Sequence, residues 1–216
     1  MNWKRLGLGW WGLGAALVLS FLALVSHARR SVQESACRGK LFFIGVHVLQ
    51  HELTHHATPP PTANNATAPP THSWRTVLHA RMNASFADRY NFEEPWDSPS
   101  NMRVAVETPS YFVCDNNRLA IGGFGGFANY AAVVDGALGA LKPFDLELSN
   151  EEASILLVEI PDSDIFWTEP RDISPREIAA LPEGNDPGGL GAVLTNGRAV
   201  RLSRREILER LAREAK

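Results

Sequence analysis

The chain lacks several things, and each absence narrows its possible roles. Its 21 basic residues never run longer than a pair, and they nearly balance 24 acids for a net charge of −3. That leaves no electrostatic footprint for a nucleic acid, so no nucleic-acid partner is expected. There is no internal repeat. There are two cysteines, Cys37 and Cys114, far apart in sequence. In a domain outside the cytoplasm they can form one disulfide tying an N-terminal helix to the rest of the chain; otherwise they are two unrelated buried thiols. The run Gly122-Gly123-Phe124-Gly125-Gly126 lacks a following Lys-Ser/Thr and a helix start, so it reads as a loop and not as a phosphate cradle. Two absences matter most. No charge falls between Leu6 and Ser26, and no proline occurs before Pro59.

Those two absences predict one long helix. Residues 6–26 form an uninterrupted apolar segment. At about 1.5 Å per residue it spans roughly 30 Å, the thickness of a bilayer core. From Arg29 the pattern turns amphipathic, with Val32, Leu41, Phe42, Ile44, Val48 and Leu49 on an apolar side. The expected organisation is a transmembrane anchor over 1–28, an amphipathic stalk helix over 29–57, a Pro/Thr/Asn-rich linker over 58–72 and an α+β head over 73–216. The flanking charges are ambiguous. Lys4 and Arg5 lie on one side of the apolar run, and Arg29, Arg30, Arg38 and Lys40 on the other, so a plain count leaves the head in the cytoplasm. Ser26-His27-Ala28 also fits a signal-peptide cleavage site, although helical sequence continues through it and an uncleaved anchor is the preferred reading.

Further along, Ser73 is a candidate N-cap for a short helix, and residues 91–101 read as a loop. Tyr111–Cys114, Asn129–Val134 and Ile155–Ile160 read as strands. Ser174-Pro175-Arg176-Glu177 and Ser203-Arg204-Arg205-Glu206 are capping boxes that open helices. Residues 190–202 predict a hairpin around Asn196-Gly197, with a type I′ turn.

Several strings, taken in order, resemble one large bacterial family of unknown function. That family joins a type IV pilin-like, or pseudopilin-like, N-terminal segment to a C-terminal H-x9-DG element. The strings are SVQESACRGKLFFIGVHVL (31–49), SWRTVL (73–78), YNFEEPWDSPSN (90–101), YFVC (111–114), NYAAVV (129–134), ILLVEI (155–160), WTEPRDI (167–173) and DPGGLGAVLTNGRAVRLS (186–203). The specific ones carry Glu94, Pro95, Trp96 and Asp97, and Trp167, Glu169 and Pro170. The resemblance implies a pilin-like fold, with a long N-terminal helix packed on an antiparallel sheet, and an exported head. It thereby places the N-terminus in the cytoplasm and the head in the periplasm or at the cell surface. It implies no catalysis and no cofactor; the implied partners are the membrane, through residues 6–26, and proteins of an envelope or secretion assembly. The chain departs from the family in two places. Residues 6–26 hold neither the usual acid nor a prepilin cleavage string, and H-x9-DG has become D-x9-NG, with Asp186 and Asn196-Gly197 in the signature positions.

One motif points to chemistry. His51-Glu52-Leu53-Thr54-His55 is H-E-x-x-H on a predicted helix, where two imidazoles share a face, can hold Zn²⁺, and stand beside a carboxylate able to activate a bound water. A membrane-tethered zinc hydrolase is therefore the alternative reading, with His51 and His55 as metal ligands and Glu52 as base. Its weakness is the missing third ligand, because Thr58 stands where the extended motif has glycine and prolines follow. A second alternative is a ligand- or polymer-binding surface module built on the loops around Trp96 and Trp167. Glu93, Glu94 and Asp97 offer oxygen ligands for Ca²⁺, though not at the spacing of a known loop.

Overall fold

The computed structural model describes residues 3–58, 71–114, 126–134, 141–181 and 189–214. Linker residues 59–70, Gly122–Gly125 and Asp186 lie outside the described residues. The chain forms two compact units, Met1–Ala36 and Cys37–Lys216. A single helix, α1 (Trp3–His55), runs through the boundary without a break, as the proline-free sequence predicts.

In the first unit the described apolar side chains of α1 are not buried. Leu17, Val18, Leu19, Phe21, Leu22 and Leu24 are each 56–71 % exposed. By length and composition, α1 contains a stretch able to cross a membrane, and none of that stretch is buried within the protein.

In the second unit α1 buries Cys37, Leu41, Ile44, Val48 and His51. Their alternating spacing of four and three keeps them on one stripe of the helix. Two residues expected on that stripe are off it. Val32 is 70 % exposed and Phe42 is 53 % exposed. Phe42 lies one position past Leu41, hence about 100° round the helix. Leu49 is only half-buried.

The sheet is antiparallel and four-stranded, in the order β1 (Tyr130–Ala132), β2 (Ile155–Glu159), β3 (Leu190–Leu194), β4 (Ala199–Leu202). All of β2 and β3 is buried, because both faces are covered. One face meets α1, α2 (Trp74–Met82) and the rings of Phe112 and Trp167. The other meets α5 (Pro175–Ala180) and α6 (Arg204–Glu214) through Ile178, Ile207 and Leu211. A bulge between Ile155 and Leu157 breaks the alternation of β2, so Leu156 and Leu157 both join the α1 side. Two glycines let α1 lie close on β3. A Cβ at Gly45 would come within 3.0 Å of Val193, and one at Gly191 within 2.9 Å of Leu41.

The predicted helix starts are present. Ser73 caps α2 by accepting from Arg75 N at 3.0 Å. Ser174 and Glu177 form the capping box of α5. Ser203 and Glu206 exchange the same pair of bonds at the start of α6. Two short helices, α3 (Ala84–Ala87) and α4 (Pro99–Val104), complete the α2 side.

Two local expectations are corrected. Tyr111–Cys114 is not a strand; Ser110–Phe112 is a 3₁₀ turn following Pro109, with Phe112 N bonded to Pro109 O at 2.8 Å. Phe112 and Cys114 are buried alternately, which mimics a strand. Their partner is not a neighbouring strand but Asn129. Its amide oxygen accepts from Cys114 N at 2.9 Å, and its backbone N–H donates to Phe112 O at 2.8 Å. The Asn196-Gly197 turn is also not type I′. Positive φ falls on Gly197 alone, at 80°. Gly197 N bonds to Leu194 O and Leu194 N to Arg198 O, both at 2.9 Å. This is a type I turn closed by a left-handed glycine in a bulge. Asn196 is buried, donating to Leu148 O and Asn150 Oδ1.

Candidate functional site

The H-E-x-x-H stretch ends α1, where the second unit packs around it. His51 is 6 % exposed and His55 is exposed. Their rings lie with centroids 4.5 Å apart and planes tilted by 32°. His51 Nδ1 is 3.0 Å from Ala57 O, and His55 Nδ1 is 3.0 Å from His51 O. A carbonyl only accepts, so both Nδ1 atoms carry the proton and both Nε2 atoms keep a lone pair. Burial lowers the pKa of His51, and the Arg81 charge and His55 add to the effect. The chain turns sharply just after, with His56 at φ 53°.

Glu52 is engaged elsewhere. Its carboxylate accepts from Phe144 N, at 3.1 and 3.3 Å to its two oxygens. It therefore ties the end of α1 to the segment before β2 and is held away from the role of a free base. Beside His51 a groove of about 560 Å³ opens between α1 and α2. Phe43, Leu78 and Met82 supply its apolar walls, and His47, Gln50 and Arg81 its polar ones. Among the described residues, only Cys37, Cys114 and Glu159 bring three metal-capable donors together. Two of these are consumed in a disulfide, since Cys37 and Cys114 are bonded.

The loop strings turn out to be structural ties. Asn101 is fully buried; its Nδ2 donates to Asn91 O and Pro95 O at 2.9 Å, and its Oδ1 accepts from Asn91 N. Those bonds close the EPWDSPSN loop on itself. Glu94 accepts from Ser100 and from Asn91 Nδ2. The bonds to Ser100 and Ser98 hold its carboxyl below the usual range. Glu94 thus faces inward to the loop, while Glu93 and Asp97 are exposed. Trp96 is half-buried near Phe166. Trp167 is 1 % exposed and donates through Nε1 to Ala105 O at 3.0 Å, so its face is not offered to a ligand.

The WTEPRDI string meets SWRTVL around a buried cation, Arg75. It is fully buried, and its guanidinium donates to Trp167 O, Tyr130 O, Glu169 O and Arg171 O and to Asp172 Oδ1. Asp172 Oδ1 also accepts from Trp74 Nε1 at 3.0 Å and from Ala132 N at 2.9 Å. Glu169 caps its own turn by accepting from Phe166 N, and Pro170 is half-buried beside it.

Two more histidines are used internally. His72, at the end of the predicted linker, is buried. Its Nε2 donates to Phe92 O, which leaves Nδ1 to accept from the Tyr90 hydroxyl. His79 Nδ1 is bonded to the Tyr111 hydroxyl. Burial lowers the pKa of both histidines and raises that of both tyrosines.

Sequence reasoning missed Arg75, Asn101, Asn129 and Asp172. No local pattern marks them, because each is defined by partners far along the chain. Comparisons with protein-family models, with curated proteins and with solved structures find no match.

Proposed function

We propose that this chain is a membrane-anchored, pilin-like or pseudopilin-like protein whose α+β unit works outside the cytoplasm in a structural or binding role. The observation that carries this reading is α1 itself. One unbroken helix carries an uncharged apolar run over residues 6–26, whose described side chains are not buried, and from Cys37 on packs against an antiparallel sheet. The disulfide supports an exported location, since such bonds persist in oxidising compartments. That argument favours the topology opposite to the plain charge count. The missing acid and cleavage string in residues 6–26 favour an uncleaved anchor over filament assembly.

The hydrolase reading is the weaker one. It needs Glu52 as base, and Glu52 is already bonded to Phe144 N. The test is a C-terminal alkaline phosphatase fusion of the full chain in a Gram-negative host. Phosphatase activity, with a non-reducing gel shift abolished by Cys37→Ser, is expected. An inactive fusion with both thiols free to alkylation would overturn the reading.

A further inference from the structure

The two imidazoles at the end of α1 carry an arrangement that the anchoring role does not use. Residues four apart on a helix lie on one face, within reach of one ion. His51 and His55 both donate Nδ1–H to backbone carbonyls, at 3.0 Å each. Metal-ligating histidines have this outer bond, because it fixes the tautomer and aims the other nitrogen. Neither Nε2 has a hydrogen-bond partner among the described residues. The ring centroids are 4.5 Å apart, and His51 opens on the groove between α1 and α2.

We infer that His51 and His55 form a two-imidazole site for a borderline transition-metal dication such as Zn²⁺, with solvent completing the coordination. Imidazole nitrogen suits such ions, and two protein ligands leave the remaining positions open. The site differs from the hydrolase reading in one respect. Glu52 takes no part, because its carboxylate is bound to Phe144 N. Metal binding without hydrolysis is therefore the expected combination. Arg81 limits the affinity. Its charge is felt at His51, and it makes no ion pair among the described residues, so it opposes a dication there.

The experiment uses the full-length chain in detergent, titrated with Zn²⁺ alone by calorimetry. One Zn²⁺ per chain is expected. Loss of an outer-shell partner already costs on the order of tenfold to a hundredfold in metal affinity, so His55→Ala should cost at least that. His55 is exposed, so this substitution leaves the fold intact, and an unchanged thermal midpoint verifies it. Glu52→Gln should leave binding in place, and Arg81→Ala should tighten it. Wild-type binding no stronger than that of His55→Ala would overturn the inference, as would loss of binding in Glu52→Gln. Zn²⁺ held by the other histidines would show the first of these patterns.

Discussion

Arg75 is charged and has no exposure, a condition tolerated only when every donor is used. Here its five N–H groups have acceptors on Trp167, Tyr130, Glu169, Arg171 and Asp172. Arg75→Met would take the cation from Asp172 and remove one donor from each of four carbonyls. Removing one partner of such a pair costs about 3–5 kcal/mol, and chemical denaturation of the oxidised protein should show a loss of that order. Arg75→Lys should not restore it, because an ammonium cannot reach acceptors arranged around a planar fork. A wild-type midpoint for Arg75→Met would show that the network contributes little. The histidines predict a pH dependence. His51, His72 and His79 all have pKa values lowered from 6.5 by burial, so the unfolded chain binds their protons more readily than the folded one. Their contribution to stability is complete above pH 6.5 and is lost as the pH falls below it. Denaturation midpoints should therefore drop between about pH 7.5 and about pH 5.5. His72→Gln retains a donor for Phe92 O and an acceptor for the Tyr90 hydroxyl, so it should flatten that slope. An equally steep slope in His72→Gln would assign the dependence elsewhere.

At the scale of elements, the legible features were those written in neighbouring residues. The length of α1 follows from the absence of proline, and the starts of α2, α5 and α6 follow from Ser73, Ser174 and Ser203, which cap within three residues. The burial of residues 155–158 in β2 follows from their continuous apolar run. The misreadings came from distant partners. Tyr111–Cys114 has a strand's alternation, but a side-chain amide fifteen residues on replaces the ladder. Asn196-Gly197 is a strong hairpin signal, yet a negative φ at Asn196 and a left-handed Gly197 make a different turn of the same two residues. Phe42, expected on the stripe, stands one position past it; its apolar neighbours Leu41 and Phe43 hide where the stripe runs. The candidate site was legible as a motif and illegible in its chemistry. Spacing aligned His51 with His55, but nothing local shows that Glu52 bonds to Phe144, ninety-two residues away.

For the whole molecule, the proposed reading turns on the free energy with which α1 would enter a bilayer. Leu17 and Leu22 are 71 % and 56 % exposed among the described residues. On the proposed reading lipid covers them; Leu17 stands near the middle of residues 6–26 and Leu22 four residues from its end. An arginine near the centre of a transmembrane helix costs about 2.5–3.5 kcal/mol on the insertion scale. Leu17→Arg should therefore cost about that much, and Leu22→Arg, nearer the end, adds a smaller amount, so the pair shifts partitioning by more than about a hundredfold. The wild-type chain should stay in the membrane pellet after alkaline carbonate extraction, and the double variant should move to the supernatant. Both positions lie in the first unit, and both cysteines in the second, so the Cys37–Cys114 bond reports location separately. A variant that fails to insert stays in the reducing cytoplasm, and both thiols become alkylatable. A double variant still in the pellet, with its disulfide formed, would mean that something other than residues 6–26 holds the protein to the membrane.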